Sequence, residues 1–379
     1  MLIAPGLRTG AAEVPRSKSH LHRLLIADFL AGDRRRLADE PDDSDDIRAT
    51  KRCLRALDTD AADVTLDCGE SGSTLRFLAP VAAALGKRAS FQKAGRLAAR
   101  PMLAYPEIRS GLHELAGDVS SQFVTGLLFA LPLLAGDSRI RFTSPLESRG
   151  YVDLTLAVVR GAGVVVRETA DGGFDIPGGQ RFAPQPTVAA ERDWSGAAFW
   201  LAANAIGNRI DVAGMNPASM QPDRAIVGAL AQLGGTIDVA QFPDSFPVLT
   251  VAAACRPQTT AFTGIRRLRI KESDRVAAMA DVLARFGVRT ESAENRFAVH
   301  GTDGLLAGGA FASFGDHRIA MSIAIGATRA KGAVEIDNAA CAAKSYPRFF
   351  DIFAALACRG QRFQIPDLSR LVAGDFAAD

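Results

Sequence analysis

No stretch of the 379-residue chain approaches the ~20 apolar residues that a membrane-spanning helix needs. The opening MLIAPGLRTG has no charged leader followed by an apolar run. Neither membrane insertion nor secretion is expected. An excess of one charge is missing as well: 44 Lys and Arg against 42 Asp and Glu leave a formal net charge of +2. Any basic site must then be a local cluster, and an electrostatic hold on long nucleic acid is not suggested. The five cysteines, Cys53, Cys68, Cys255, Cys341 and Cys358, are scattered, with no CxxC pair and no histidine at zinc-ligand spacing. That pattern predicts reduced thiols in the cytoplasm and no metal site. Walker loop, GxGxxG, HExxH and nucleophile elbow are all absent, so nucleotide hydrolysis, dinucleotide chemistry, zinc proteolysis and α/β-hydrolase catalysis lack support.

What is present is a repeat. A polar or small start leads into an apolar helix-length run, then one or two glycines, then a short strand rich in β-branched residues. It recurs at Ser19 to Leu30, Ser71 to Leu85, Ser121 to Leu134, Ser195 to Ile206, Asp223 to Leu233, Glu272 to Phe286 and Asp316 to Ala327. With Asp46 to Leu57, Gly150 to Arg160, Asp244 to Ala254 and Tyr346 to Ala357, the pattern predicts about eleven helices alternating with strands. Runs such as VTGLLFALPLLAG are apolar on every side, which predicts helices inside the fold with sheets packed around them. The length allows two cores, and the proline-bearing PQPT with the charged ERD interrupts the repeat between Thr187 and Trp194. The stretch from Arg100 to Ser120 is too short for the helix and strand expected there, so one unit reads as trimmed.

Several helices begin with a cation, although the positive end of a helix dipole favours anions. Lys18 and Arg23 open the first helix, His317 and Arg318 another, and Lys344 precedes the last. Any one alone would read as a solvated surface charge; as a set, cations at helix N-termini predict anion sites. In RIKESDR, Lys271 and Arg275 read as i, i+4 on one helical face, either offset by Glu272 or bridged by a bound anion. Gly69-Glu70-Ser71-Gly72-Ser73-Thr74 before Arg76 is a glycine-rich turn whose amides can approach an oxyanion. Taken alone, Ser120-Ser121-Gln122 and Asp244 each read better as N-caps.

Taken together, PRSKS with Arg23, GESGSTLRF, Arg100-Pro101-Met102, VSSQF, ESRGY, FPD, IKESDR, GDHRIAM and CAAKSYP resemble, in order and spacing, the 5-enolpyruvylshikimate-3-phosphate synthase family over essentially the whole chain. The resemblance implies an α/β fold: a two-domain inverse α/β barrel of repeated βαβαββ units around buried helices. It puts residues 16–190 in a first domain and 1–15 with 191–379 in a second, with the active site in the cleft they form. It implies transfer of the enolpyruvyl group of phosphoenolpyruvate to the 5-hydroxyl of shikimate 3-phosphate through a tetrahedral intermediate. No metal or organic cofactor, a monomer, and no nucleic-acid or membrane partner are part of the same expectation.

Carried over motif by motif, the shikimate 3-phosphate site comprises Lys18, Ser19, Arg23, Ser120, Ser121, Gln122, Ser148, Tyr151, Asp244 and Lys271. Arg23 suits the shikimate carboxylate, which a guanidinium can bind bidentately. The phosphoenolpyruvate site comprises Lys18, Gly72, Arg100, Gln122, Glu272, Arg275, His317, Arg318 and Lys344. Asp244 is assigned to the 5-hydroxyl proton and Glu272 to the methylene carbon, with Lys18 and Lys344 stabilising charge or relaying protons. Gly72 matches the position through which the herbicide glyphosate competes with phosphoenolpyruvate. The chain departs from the family at Glu70, where asparagine is frequent, at Asp118, and in the shortened stretch after Arg100. The rivals are the enolpyruvyl transferase acting on UDP-N-acetylglucosamine, whose reactive loop cysteine has no counterpart here, an RNA-end-binding or cyclase-like protein, and a non-catalytic relic.

Overall fold

A helix that is apolar all round is stable in water only where protein encloses it. The computed structural model, which describes residues 1–100, 102, 108–185 and 188–359, encloses several. Its helices are α1 (Lys18–Leu30), α2 (Asp45–Leu57), α3 (Gly72–Ala84), α4 (Ser121–Ala130), α5 (Arg149–Gly161), α6 (Trp194–Ala205), α7 (Ile226–Ala231), α8 (Phe246–Ala254), α9 (Arg275–Arg285), α10 (His317–Ala327) and α11 (Phe349–Ala355). Every residue of α8 and of α10 is buried. The strands are β1 (Leu2–Ile3), β2 (Leu7–Ala11), β3 (Asp63–Asp67), β4 (Arg88–Gln92), β5 (Gly111–Leu115), β6 (Ser138–Phe142), β7 (Arg167–Glu168), β8 (Phe174–Ile176), β9 (Arg209–Asp211), β10 (Thr236–Asp238), β11 (Thr259–Thr263), β12 (Arg289–Ser292), β13 (Arg296–His300), β14 (Gly309–Phe311), β15 (Val334–Ile336) and β16 (Ala357–Arg359).

The chain forms two compact units, Lys18–Ala190 and Met1–Ser17 with Glu191–Asp379, each with its own apolar core. The boundary falls two residues beyond the expected 15/16. Arg16 bridges antiparallel to Arg192, and Ser17 N–H donates to the Glu191 carbonyl at 2.7 Å, which ties both residues to the second half of the chain.

The repeat is visible twice in full. In the inserted unit, β5-α4-β6-α5-β7-β8 gives a sheet of order β5-β6-β8-β7. In the larger unit, β10-α8-β11-α9-β12-β13 gives the same order, β10-β11-β13-β12, with one parallel and two antiparallel pairings. The trimmed copy is the sheet of β3 and β4, which among the described residues has those two parallel strands only. In the larger unit β1 pairs with β15, and β2 lies between β9 and β16.

One close approach positions functional groups directly. A Cβ at Gly126 of α4 would overlap the Arg76 carbonyl of α3 and come within 2.8 Å of Pro80. Only glycine lets these backbones meet, and the contact sets Gln122, one turn earlier on α4, against Arg76.

Candidate active site

In the inserted unit the misplaced cations are neither solvated nor alone. Lys18 opens α1 and its ammonium lies 2.7 Å from Asp46 at the start of α2, with side chains 15% and 5% exposed. Gly72 opens α3 beneath two guanidinia: a Cβ there would stand 2.7 Å from Arg76 Nη1 and 3.2 Å from Arg100 Nη1. Arg76 Nη1 donates to Gln122 Oε1 at 2.8 Å, and Gln122 Nε2 donates to Ser73 Oγ at 2.9 Å. Gly72, Arg100 and Gln122 are therefore brought together, with Arg76 as an additional cation. Glu70 turns towards the next segment: a Cβ on Gly95 would come within 2.7 Å of its carboxyl carbon.

Ser120 caps α4, accepting from Gln122 N–H at 3.3 Å, with Ser121 buried behind it. Ser148 precedes α5 at φ 55, a left-handed conformation that costs a non-glycine residue about 1–2 kcal/mol and concentrates at functional positions. Arg23, one turn after Ser19, is 2% exposed. Its Nε donates to Thr155, Nη1 to the Ser19 carbonyl, and Nη2 to Thr125 and the Tyr151 carbonyl. Four of its five N–H groups are thus committed to the protein. The expectation of a bidentate grip on a carboxylate therefore fails in this arrangement, because neither edge of the guanidinium has two N–H groups to offer. Burial, slightly offset by Tyr151, holds the Arg23 pKa down to about 9.

In the larger unit the expected residues converge on Arg275. Helix α9 begins at Arg275 and not at Glu272, because the Asp274 side chain caps it by accepting from Val276 and Ala277 N–H at 3.1 and 3.0 Å. Lys271 lies outside the helix, following the 3-10 turn Arg266–Ile270, so the reading of Lys271 and Arg275 as one helical face is corrected. Arg275 is 1% exposed and surrounded by carboxylates: Nη1 to Asp244 at 2.8 Å, Nη2 to Glu272 at 3.0 Å, Nε to Asp316 at 2.9 Å. Asp244 also meets Arg318 at 2.9 Å and Lys271 at 3.8 Å. Its carboxylate is spent on these cations and caps no helix, since α8 starts after Ser245 without a side-chain cap.

Asp316 is 0% exposed and joins three parts of the site. It accepts from Arg275, from the Ser273 hydroxyl at 3.0 Å and, as N-cap of α10, from Arg318 N–H at 2.9 Å. His317 Nδ1 lies 3.7 Å from its Oδ1. Two residues before Asp316, Phe314 holds φ 56 and is the second left-handed non-glycine residue among those described. Lys344 is buried at the end of the 3-10 turn Ala339–Lys344. Tyr346 fixes the chain beyond it, its hydroxyl accepting from Trp200 Nε1 at 3.1 Å and donating to the Glu13 carbonyl.

The charges explain the titration. Burial would raise the Asp244 pKa, but Arg318, Lys271 and Arg275 outweigh it and hold the carboxyl well below its usual range. Burial lowers Lys271 to about 8, with Asp244 opposing and Arg275 and Arg267 adding to the shift. Burial also disfavours the charged form of Arg275, yet Asp316, Glu272 and Asp244 raise its pKa above the ordinary arginine value. Three of the residues that organise this chemistry, Asp46, Arg76 and Asp316, had no assigned role in the sequence reading. Arg76 and Asp316 lay inside quoted motifs; for Asp46 no signal in the chain pointed to Lys18.

The fold is that of solved enolpyruvyl-transfer proteins. An EPSP synthase from Acinetobacter baumannii superposes with a TM-score of 0.71 at 22% identity, covering 93% of this chain and 96% of that one. The enolpyruvyl transferase NikO from Streptomyces tendae gives 0.68 at 15% identity, covering 94% and 97%. In sequence, the chain is 36% identical to a 3-phosphoshikimate 1-carboxyvinyltransferase of Clostridium kluyveri over 93% of its own length and 96% of the relative's. A protein of the same name from Clostridioides difficile is 33% identical, over 94% and 97%. The profile of the EPSP synthase (3-phosphoshikimate 1-carboxyvinyltransferase) family matches residues 103–241 and 233–353, and the chain belongs to that family.

Proposed function

We propose that the protein transfers the enolpyruvyl group of phosphoenolpyruvate to the 5-hydroxyl of shikimate 3-phosphate, releasing inorganic phosphate. The observation that carries this reading is that one buried guanidinium, Arg275, holds both Asp244 and Glu272. Two proton-transfer groups are thereby fixed relative to one another before substrate arrives. The depressed pKa of Asp244 keeps it ionised and able to take the hydroxyl proton as the oxygen attacks C2 of phosphoenolpyruvate. Glu272, itself protonated in the substrate complex, delivers that proton to the methylene carbon, giving the tetrahedral adduct, and the hydroxyl proton held by Asp244 leaves with the departing phosphate. Glu272 then takes a proton back as the C–O bond to phosphate breaks and the double bond re-forms.

Phosphoenolpyruvate and the departing phosphate fall to Lys18, Gly72, Arg100, Gln122, Arg275, His317, Arg318 and Lys344, and we add Arg76, which flanks Gly72 with Arg100. Lys18 and Lys344 offset charge or relay protons on the leaving phosphate. Shikimate 3-phosphate falls to Lys18, Ser19, Ser120, Ser121, Gln122, Ser148, Tyr151, Asp244 and Lys271. Arg23 we now assign to support of Ser19 and Tyr151 through their carbonyls, with at most one N–H for the carboxylate. Among the described residues no helix is long and apolar enough to cross a membrane. With all five cysteines unbridged, that supports placement in a reducing cytoplasm. A monomer is the working unit, which sedimentation checks.

The deciding experiment is phosphate release from phosphoenolpyruvate with shikimate 3-phosphate against UDP-N-acetylglucosamine as acceptor. Turnover with the first alone is expected; preference for the second would overturn the assignment, as would RNA binding that weakens steeply with salt.

A further inference from the structure

Beneath the Lys18–Asp46 ion pair runs a second contact joining the same two helices. His22 stands one turn after Lys18 on α1 and Thr50 one turn after Asp46 on α2, with His22 Nδ1 2.7 Å from Thr50 Oγ1. The two contacts form a ladder: a charged rung at the margin and a neutral one in the interior, where His22 is 1% and Thr50 0% exposed. The contact continues. Thr50 Oγ1 lies 2.6 Å from Thr74 Oγ1 on α3, and the Thr74 hydroxyl donates at 2.7 Å to Ser71 Oγ, the N-cap residue of that helix.

Counting protons fixes the direction of the whole chain. A hydroxyl has one hydrogen to give. Thr74 gives its hydrogen to Ser71, so the contact with Thr50 uses the Thr50 hydrogen. The contact with His22 must then use an imidazole Nδ1–H. Burial keeps this ring neutral, lowering its pKa to about 3 against the pull of Asp46 and with help from Lys18 and Arg23. In the neutral Nδ1–H form, Nε2 is a bare lone pair, and it has no hydrogen-bond partner among the described residues. The ring is therefore a single donor, backed edge-on by Phe77 at 6.0 Å between ring centroids.

We propose that His22 is a positioning residue for the phosphoenolpyruvate half of the site. As a neutral Nδ1–H donor it sets the spacing of α1, which starts at Lys18, of α2, which carries Asp46, and of the capped turn that presents Gly72. Each of those three residues is one turn or one residue from a member of the chain, so a shift at His22 is felt at all of them. The inference rests on the reading of Lys18 and Gly72 as phosphoenolpyruvate ligands.

The test is a set of variants assayed by phosphate release. His22→Leu fills the space without a donor and is expected to raise KM for phosphoenolpyruvate by about tenfold or more, since misplacement of a binding group by ~1 Å has effects of up to about a hundredfold. The cooperativity of unfolding is expected to stay near wild type, and KM for shikimate 3-phosphate, which Lys18 also serves, is expected to rise less than KM for phosphoenolpyruvate. His22→Asn puts an amide N–H where Nδ1–H stands and should restore KM to within about threefold, whereas His22→Gln puts it at the Nε2 position and should not. A KM in His22→Leu within about twofold of wild type, or equal rescue by Gln and Asn, overturns the proposal. If His22→Leu does not fold, Thr50→Val, which cuts the chain at nearly constant volume, decides by the same criterion. Lys18→Met is measured alongside: if it leaves KM for phosphoenolpyruvate unchanged, the underlying reading has failed, whereas a loss there with none in His22→Leu removes this inference alone.

Discussion

Arg275 Nε donates to Asp316 at 2.9 Å with both side chains essentially sealed from water, at 1% and 0% exposure. A buried guanidinium that loses a carboxylate is left with charge it cannot hydrate, and breaking such a pair costs about 3–5 kcal/mol. Asp316→Asn keeps the shape and the acceptor for Arg318 N–H but removes that charge. A loss of about 3 kcal/mol is expected from the urea midpoint at constant m-value. A loss below about 1 kcal/mol would mean that Asp244 and Glu272 suffice for Arg275.

Asp244 is placed to be tested as a base and not only as a binding group. Asp244→Asn retains size and hydrogen-bonding atoms, so shikimate 3-phosphate affinity by calorimetry should change by a few-fold at most. Turnover should fall about a hundredfold or more, the scale of general-base catalysis. Unchanged kcat would remove Asp244 from proton transfer.

Lys271 predicts a pH dependence with a definite sign. Its pKa of about 8 lies below the ordinary 10.5, so the folded state releases this proton first, and the stability it contributes grows as pH rises from about 8 towards 10.5. Binding of a phosphate runs the other way, because the neutral amine no longer attracts it. KM for shikimate 3-phosphate should rise as pH passes about 8 in the wild type. In Lys271→Arg, which stays charged, it should remain flat over the same interval.

Gly72 marks where two guanidinia come closest to a backbone. In Gly72→Ala the new methyl would meet Arg76 and Arg100 at 2.7 and 3.2 Å, and both are ends of flexible side chains that can swing aside. The variant should fold normally, with a raised KM for phosphoenolpyruvate, about tenfold, and an unchanged KM for shikimate 3-phosphate. Equal rises for both substrates would place Gly72 elsewhere than the phosphoenolpyruvate side.

The helices were legible because their burial is written in unbroken apolar runs: Asp316 to Ala327 in the sequence is His317–Ala327 in the fold, and Ser195 to Ile206 is Trp194–Ala205. Legibility failed where a side chain competes with the backbone. Asp274 takes the first free amides of α9 and moves its start past Glu272, and Pro222 turns the beginning of the Asp223 run into a 3-10 segment before α7. In the site, the residue types could be read but their allegiances could not. Nothing near Arg23 in the chain indicates that Thr125 and Thr155, from two later helices, will claim its donors. Likewise, that Asp316 serves Arg275 depends on a contact across 41 positions.

The leading segment of the chain has partners that arrive late. β2 pairs with β9 at Arg209 and with β16 at Ala357, and β1 with β15 at Glu335, whereas among the described residues the strands of the unit Lys18–Ala190 pair only within that unit. On the ribosome, domains fold as units as they emerge. The inserted unit can then close while β1 and β2, made before it, remain unpaired: β2 until β9 is made, and β1 until β15 is made. Strands made before the inserted unit are thus completed only after it, and those strands are where a nascent-chain chaperone would have most to protect.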